Sequence, residues 1–259
     1  LSLIESGAGL PVILVHAFPL CRDMWAVQIP LLREHFRILA PDLRGFGATP
    51  LGANGSPAPV TVEEHAADIL AALRRHRARP AVLVGLSLGG YVVFEMLRQD
   101  PEVAMAVVLA DTQAAPDSVA QKASREDFAR LVETEGMEAV ADPLLSRLLG
   151  ANTIQKRPTL VSRVREMLLS ASPEGVAATS RGMALRPDST PELEKIQVPT
   201  LLLVGEQDSI TPPSATEAMA KAIPDATALK IAGAGHLSNL ENPLAFNESI
   251  RLFLLERLG

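Results

Sequence analysis

Ala81-Val82-Leu83-Val84-Gly85 runs without a break into Leu86-Ser87-Leu88-Gly89-Gly90, and a helix-compatible stretch, Leu88 to Gln99, follows at once. Five apolar residues in a row read as a strand covered on both faces, because a half-exposed strand would alternate apolar with polar side chains. The chain must then reverse into a helix within a few residues. A serine at the apex of so tight a turn takes a strained backbone, and Gly85 and Gly89 let strand and helix approach without a Cβ collision. The hydroxyl of Ser87 is thereby lifted above the sheet edge. The backbone N–H of Leu88 falls at the start of the helix, where unpaired donors and the helix dipole favour an anionic oxygen. A Gly-x-Ser-x-Gly turn in which serine only caps the helix is the alternative, and the strand-turn-helix context favours a nucleophile.

Working outward, further strand candidates are Val12 to His16, Phe36 to Pro41, Met105 to Ala110, Thr200 to Gly205 and Ala228 to Ile231. Most are continuous apolar runs. Helical periodicity fits Thr61 to His76, where Thr61 and Glu64 have capping-box spacing, and also Pro213 to Ala222 and Leu244 to Leu258. Strands alternating with helices predict an α/β class with a mostly parallel central sheet flanked by helices. Between Thr112 and Gln197 the strand signal disappears, leaving charged Leu- and Met-rich helical stretches broken by Pro143, Pro158, Pro173 and Pro187. The reading is a core of residues 1–111 and 198–259 with a helical cap inserted at 112–197; a run of helices that simply extends the core is the alternative.

Serine at neutral pH is a poor nucleophile and needs a general base, which among side chains points to histidine. Of the five in the chain, His236 lies in Gly233-Ala234-Gly235-His236-Leu237, past the last strand candidate and before the C-terminal helix. His65 and His76 on a charged helix, and His35 in Arg33-Glu34-His35, suit a solvated surface. The acid that orients the imidazole has two main candidates. Asp208 follows the strand Thr200 to Gly205, and Asp111 follows Met105 to Ala110, with Glu206 a third. The chain order Ser87, Asp208, His236 favours Asp208. His16-Ala17-Phe18-Pro19 follows the first strong strand, and the N–H of Phe18 is the expected second oxyanion donor beside that of Leu88. His16 itself reads as a structural tie and Trp25 as core.

Length and composition fit this picture. The chain has 259 residues, 47% of them hydrophobic, enough for one large aliphatic core with only 3% aromatics. A net charge of −6 offers no basic field for phosphates, so a nucleic-acid partner is disfavoured. Apolar runs such as Val103 to Ala110 fall far short of the roughly 20 residues that span a bilayer, so no membrane span is expected. The single cysteine, Cys21, excludes an internal disulfide and makes a reducing compartment, the cytoplasm, the simpler expectation. Leu1 to Gly9 lacks the pattern of a signal peptide; the chain opens without Met, which leaves a longer precursor open.

Taken together, His16 to Pro19, Asp42-Leu43-Arg44-Gly45-Phe46-Gly47, the Ser87 turn, Asp208 and His236 make the chain resemble the α/β-hydrolase superfamily over nearly its whole length. Within it, Ala110-Asp111-Thr112-Gln113-Ala114-Ala115-Pro116-Asp117 resembles the cap entrance of small capped esterases, cofactor-free haloperoxidase-like enzymes and 3-oxoadipate enol-lactonases. The chain departs in having His16-Ala17 where many relatives carry His-Gly, and in an abbreviated opening β-hairpin before Pro11. The resemblance implies an α/β-hydrolase fold, no cofactor or metal, and cleavage of a small-molecule carboxylic ester through an acyl-serine. Ser87 at the turn, in place of aspartate, argues against dehalogenase or epoxide-hydrolase chemistry. A lactonase and a non-catalytic binder of small molecules on the same fold are the alternatives. Met137, Leu145, Leu148, Leu149, Leu160, Met167 and Leu168 can line a pocket or pack the cap, and Arg125, Arg130, Arg147, Arg163 and Arg165 can face a carboxylated substrate or water.

Overall fold

The computed structural model describes residues 1–52 and 58–258. Seven strands form one sheet in the order β1-β3-β2-β4-β5-β6-β7: β1 (Leu3–Ser6), β2 (Pro11–Val15), β3 (Arg37–Pro41), β4 (Ala81–Leu86), β5 (Ala104–Ala110), β6 (Thr200–Gly205) and β7 (Ala226–Ile231). β1 alone runs antiparallel, paired with β3, and every other pairing is parallel. The fold is that of an α/β hydrolase, and each of the six strand candidates falls on a strand of the sheet. β1 escaped the sequence because it is four residues long and partly exposed, with no apolar run to mark it. It is also not a hairpin partner of β2, since it crosses to the outer side of β3.

The continuous apolar strands are buried for the reason their composition suggests: residues of β4 and β6 are covered on both faces. One cluster, on the face that carries Leu83, Val107 and Leu202, packs under α2 (Val62–Arg75) and α3 (Leu88–Gln99). The other, with Val84, Val108 and Leu203, packs under the short α1 (Gln28–Leu32) and the C-terminal helix. The capping box at α2 is present, with the Glu64 N–H donating to Thr61 Oγ1 at 3.2 Å and the Thr61 N–H to Glu64 Oε2 at 2.9 Å. Trp25 is fully buried beside Phe246.

Between β5 and β6 the chain leaves the sheet for α4 (Val119–Glu135), α5 (Glu138–Leu148), α6 (Ala151–Lys156), α7 (Pro158–Leu169) and α8 (Pro173–Ala184). Residues 112–197 contain no strand. Their apolar faces merge into the two sheet-packed clusters: Val132, Met137 and Val176 join one, Leu145, Val164 and Leu168 the other. After β6 come α9 (Pro213–Ala222), the single turn α10 (Ser238–Glu241) and α11 (Pro243–Leu258). Prolines 158, 173, 213 and 243 each open one of these helices, at a position where the missing N–H costs nothing, whereas Pro143 sits inside α5.

Register determines what meets at the carboxyl edge. Val15 pairs with Gly85, Leu86 with Ala110, Ala110 with Leu203, and Gly205 with Ile231. The segments that follow these strands, carrying Phe18, Ser87, Asp111, Asp208 and His236, are thereby gathered along one edge.

Candidate active site

Ser87 occupies the turn between β4 and α3 with φ 55° and ψ −113°. A non-glycine residue held there costs on the order of 1–3 kcal/mol, so the surroundings must over-determine it. They do. Its N–H donates to Ala110 O at 2.9 Å, and its C=O accepts from Gly90 N–H and from Thr112 Oγ1, each at 2.9 Å. A Cβ on Gly85 would come 2.3 Å from Gly89 O, and one on Gly89 would come 2.2 Å from Val15 O, so only glycine permits this approach.

The Ser87 hydroxyl lies 2.8 Å from His236 Nε2, and His236 Nδ1 lies 2.8 Å from Asp208 Oδ2. With Nδ1–H donating to the carboxylate, Nε2 is left to accept from the hydroxyl, the tautomer a general base requires. His236 is 1% exposed and Asp208 4%, so little water competes for these bonds. Burial pushes the Asp208 carboxyl upward, but the hydrogen bond and charge of His236, then the donors of Thr211, hold it below its ordinary range. Those donors are Thr211 Oγ1 on Oδ2 at 2.8 Å, and the Ile210 and Thr211 N–H groups on Oδ1 at 2.8 and 3.1 Å.

Asp111 is also buried at the edge, with φ 46°, but it points elsewhere. Its Oδ1 accepts from Gly205 N–H at 2.7 Å and its Oδ2 is hydrogen-bonded to Ser238 Oγ. Burial, and then the negative charge of Asp208, raise its carboxyl well above the ordinary value. Glu206 accepts from Gly233 N–H at 3.0 Å on the protein surface. The amides of Phe18 and Leu88 both lie at this edge, and neither N–H has an intrachain acceptor among the described residues.

Three residues that matter here were not singled out in the sequence. Thr211 holds both oxygens of Asp208. Glu241, 6% exposed, receives Gly235 N–H on Oε1 and Gly150 N–H on Oε2, each at 2.8 Å. It ties the peptide before His236 to the start of α6. Arg186, 4% exposed, stacks on the Tyr91 ring at 4.1 Å and donates to Asp117 Oδ1 at 2.8 Å. Glu241 lies five positions after His236, and nothing else in the sequence links the two.

The surface role expected for His65 is wrong. It is fully buried between α2 and α8, 3.4 Å from Thr179 Oγ1, on the apolar stripe of a helix whose charges lie on the opposite face. Burial pushes it down to about 3. His76 is half-buried and pairs with Glu5 at 2.8 Å, and His35 is exposed. His16 is a buried tie: Nδ1 reaches Ala17 O at 3.0 Å and Nε2 accepts from Leu43 N–H at 2.9 Å.

Above Ser87 and His236 opens a cavity of about 350 Å³. Its apolar lining includes Phe18, Tyr91, Phe128, Leu144, Leu148, Met183 and Ile210. Of the seven Leu and Met residues weighed as pocket wall, only Leu148 lines it; Met137, Leu145, Leu149 and Leu168 are buried in the core. Among the described residues no three His, Cys, Asp or Glu side chains gather as a metal site. No helix among them is long and apolar enough to cross a membrane.

Residues 11–243 match the model of the alpha/beta hydrolase fold family. The chain belongs to that family. It is 40% identical to a thermophilic esterase from Thermogutta terrifontis solved with malate bound, covering 100% of this chain and 94% of that one at a TM-score of 0.95. It is 28% identical to the enol-lactonase of Burkholderia xenovorans, covering 98% of this chain and 96% of that one at a TM-score of 0.90. Among curated proteins, 3-oxoadipate enol-lactonase 2 of Acinetobacter baylyi is 28% identical over 88% of this chain and 82% of its own length. This α/β hydrolase thus has relatives of esterase and lactonase type.

Proposed function

We propose that the chain is a serine carboxylic ester hydrolase acting on small molecules, with Ser87 as nucleophile, His236 as general base and Asp208 as its orienting acid. The observation that carries this reading is the unbroken line of two 2.8 Å contacts from Ser87 Oγ through His236 to Asp208. His236 Nε2 takes the Ser87 proton as Oγ bonds to the substrate carbonyl carbon. The carbonyl electron pair moves to oxygen, where the N–H groups of Phe18 and Leu88 receive it. Collapse expels the alcohol, which leaves with the proton from His236, and an acyl-serine remains. Water then loses a proton to His236, attacks the acyl carbon, and the carboxylic acid departs as Ser87 regains its proton.

On this reading the helices of residues 112–197 act as the cap over the site, and the substrate needs neither cofactor nor metal. Neither nucleic acid nor membrane enters the reaction, and a cytoplasmic setting fits the single cysteine. A lactone is a second reading, favoured by the two enol-lactonase relatives. Its acyl-serine keeps the ring alcohol as a tethered hydroxyl, and the chemistry is otherwise the same. Treatment with a fluorophosphonate is expected to label Ser87 and to abolish turnover of a short p-nitrophenyl ester. The S87A variant is expected to fold with an unchanged circular dichroism spectrum and to resist labelling. Ligand-induced stabilisation with neither labelling nor turnover would point to a binder instead.

A further inference from the structure

The cavity above Ser87 is not a greasy slot. One face of α4 looks into it through Gln121, Ser124, Arg125 and Phe128, at the i, i+3, i+4, i+7 spacing of a helical stripe. Only the last of these is apolar. Gln113 and Asp117, just before α4, extend the polar end, and Arg147 in the last turn of α5 joins them.

The charges on that wall do not cancel. Asp117, 5% exposed, is engaged by Arg125 on one oxygen and by Arg186 on the other, so its single charge is shared between two guanidinium groups. Burial pushes its carboxyl up, yet those two arginines hold it below the ordinary range, so it is ionised and spoken for. Arg147 has no carboxylate partner among the described residues. The other cap arginines behave differently. Arg130 pairs with Asp127, and Arg165 pairs with Glu138 and Asp142, all on the outer surface. Arg163 lines a separate groove with Asp23 and Glu166. In a chain of net charge −6, the wall facing the nucleophile therefore carries excess positive charge.

We propose that Arg147, backed by Arg125, forms a carboxylate subsite, and that the substrates are small esters or lactones with an anionic carboxylate distal to the scissile bond. The proposal rests on the acyl-transfer reading of Ser87 and deepens it. A planar guanidinium with free N–H donors matches a carboxylate bidentately, and the side-chain amides of Gln113 and Gln121 line the same cavity as neutral donors. An uncharged acyl chain would leave this wall without partners, whereas the Phe18, Phe128 and Leu148 side accepts the methylenes between the two ends.

The test compares mono-4-nitrophenyl succinate with its methyl-capped counterpart, 4-nitrophenyl methyl succinate, which has the same acyl chain without the charge. The expected ratio of kcat/KM, anionic over neutral, is tenfold or more at low salt, falling as ionic strength rises. Arg147→Gln, an exposed position where folding is not at stake, is expected to bring the ratio toward one, and Arg147→Glu below one. A wild-type ratio at or below one overturns the proposal, as does a high ratio that R147Q leaves intact. Binding of succinate, followed by calorimetry on S87A and on S87A/R147Q, separates the subsite from the chemistry. Succinate held by the first and not by the second supports the subsite even if Ser87 resists fluorophosphonate. Equal binding, or none, removes it even if neutral esters turn over.

Discussion

If His236 is the general base proposed above, replacing Glu241 by alanine is expected to damage that base without touching it. The Glu241 side chain is buried against Gly235 and Gly150, and its carboxylate accepts both amides at 2.8 Å. Burial lifts its carboxyl, and the hydrogen bonds of Thr153, Gly150 and Gly235 oppose that shift. Gly235 directly precedes His236, so the loop that carries the proposed base hangs on this one side chain. Removing it strands at least two buried N–H groups. Each hydrogen bond to a charged acceptor is worth about 1.5–3 kcal/mol, giving a loss on the order of 4 kcal/mol in E241A. A Cβ on Gly235 would sit 2.4 Å from Gly150 N, so the loop has no room to relax toward α6. It can only move away, and displacing a catalytic group by about 1 Å costs on the order of 10²-fold in rate. The assay is denaturant unfolding beside kcat and KM on a p-nitrophenyl ester. The expected result is a fall in kcat of about 10²-fold with KM little changed, in protein that is still folded at the assay temperature. A kcat within twofold of wild type, with stability within about 1 kcal/mol, would refute the reasoning.

Two further outcomes follow from the same contacts. D208N is expected to lose about 10³- to 10⁴-fold in kcat, because an amide in that place favours the wrong imidazole tautomer. D111N should lose less than tenfold, since asparagine can accept from Gly205 N–H and donate to Ser238 in the place of a carboxyl whose ionisation burial already suppresses; a larger loss in D111N than in D208N would reverse the assignment. Stability should fall on acidification below about pH 6.5, where the unfolded chain begins to protonate histidines that stay neutral in the fold down to about 4 at His16 and about 3 at His65. That stability is present in full above the unfolded value and is lost progressively as pH falls toward the folded values, with more at stake at His65, the more depressed of the two. Unfolding of H65Q followed from pH 7 to pH 4 should show a shallower decline than wild type, and an equal slope would remove His65 from the account.

The central parallel strands and the Ser87 turn were legible because each is a local affair: apolar runs announce strands buried on both faces, and the glycines around Ser87 announce a close approach. The sequence placed Asp208 and His236 after strands, and the folded register brings their side chains onto one line with that of Ser87. What stayed hidden was non-local. The pattern of α2 placed His65 on a helix but did not say that α8 would cover its face. Thr211 and Glu241 are ordinary turn residues until β6, β7 and α6 converge. The excess charge of the cavity wall was invisible too, since the eight arginines of residues 112–197 look alike in sequence and only the folded structure shows that Arg147 lines the cavity above Ser87.

The helices between β5 and β6 and the loop that carries His236 form one mechanical unit. Glu241 joins Gly235 to Gly150, and the backbone adds a second link, Leu237 N–H to Leu148 O at 3.2 Å. Leu148 lines the cavity, and Arg147 beside it in sequence lines it too. A ligand that pulls on the end of α5 therefore pulls through one residue on a peptide adjacent to the base. Binding energy gained far from the carbonyl carbon has a short covalent and hydrogen-bonded route to the position of His236, which is how remote contacts come to raise kcat as well as to lower KM.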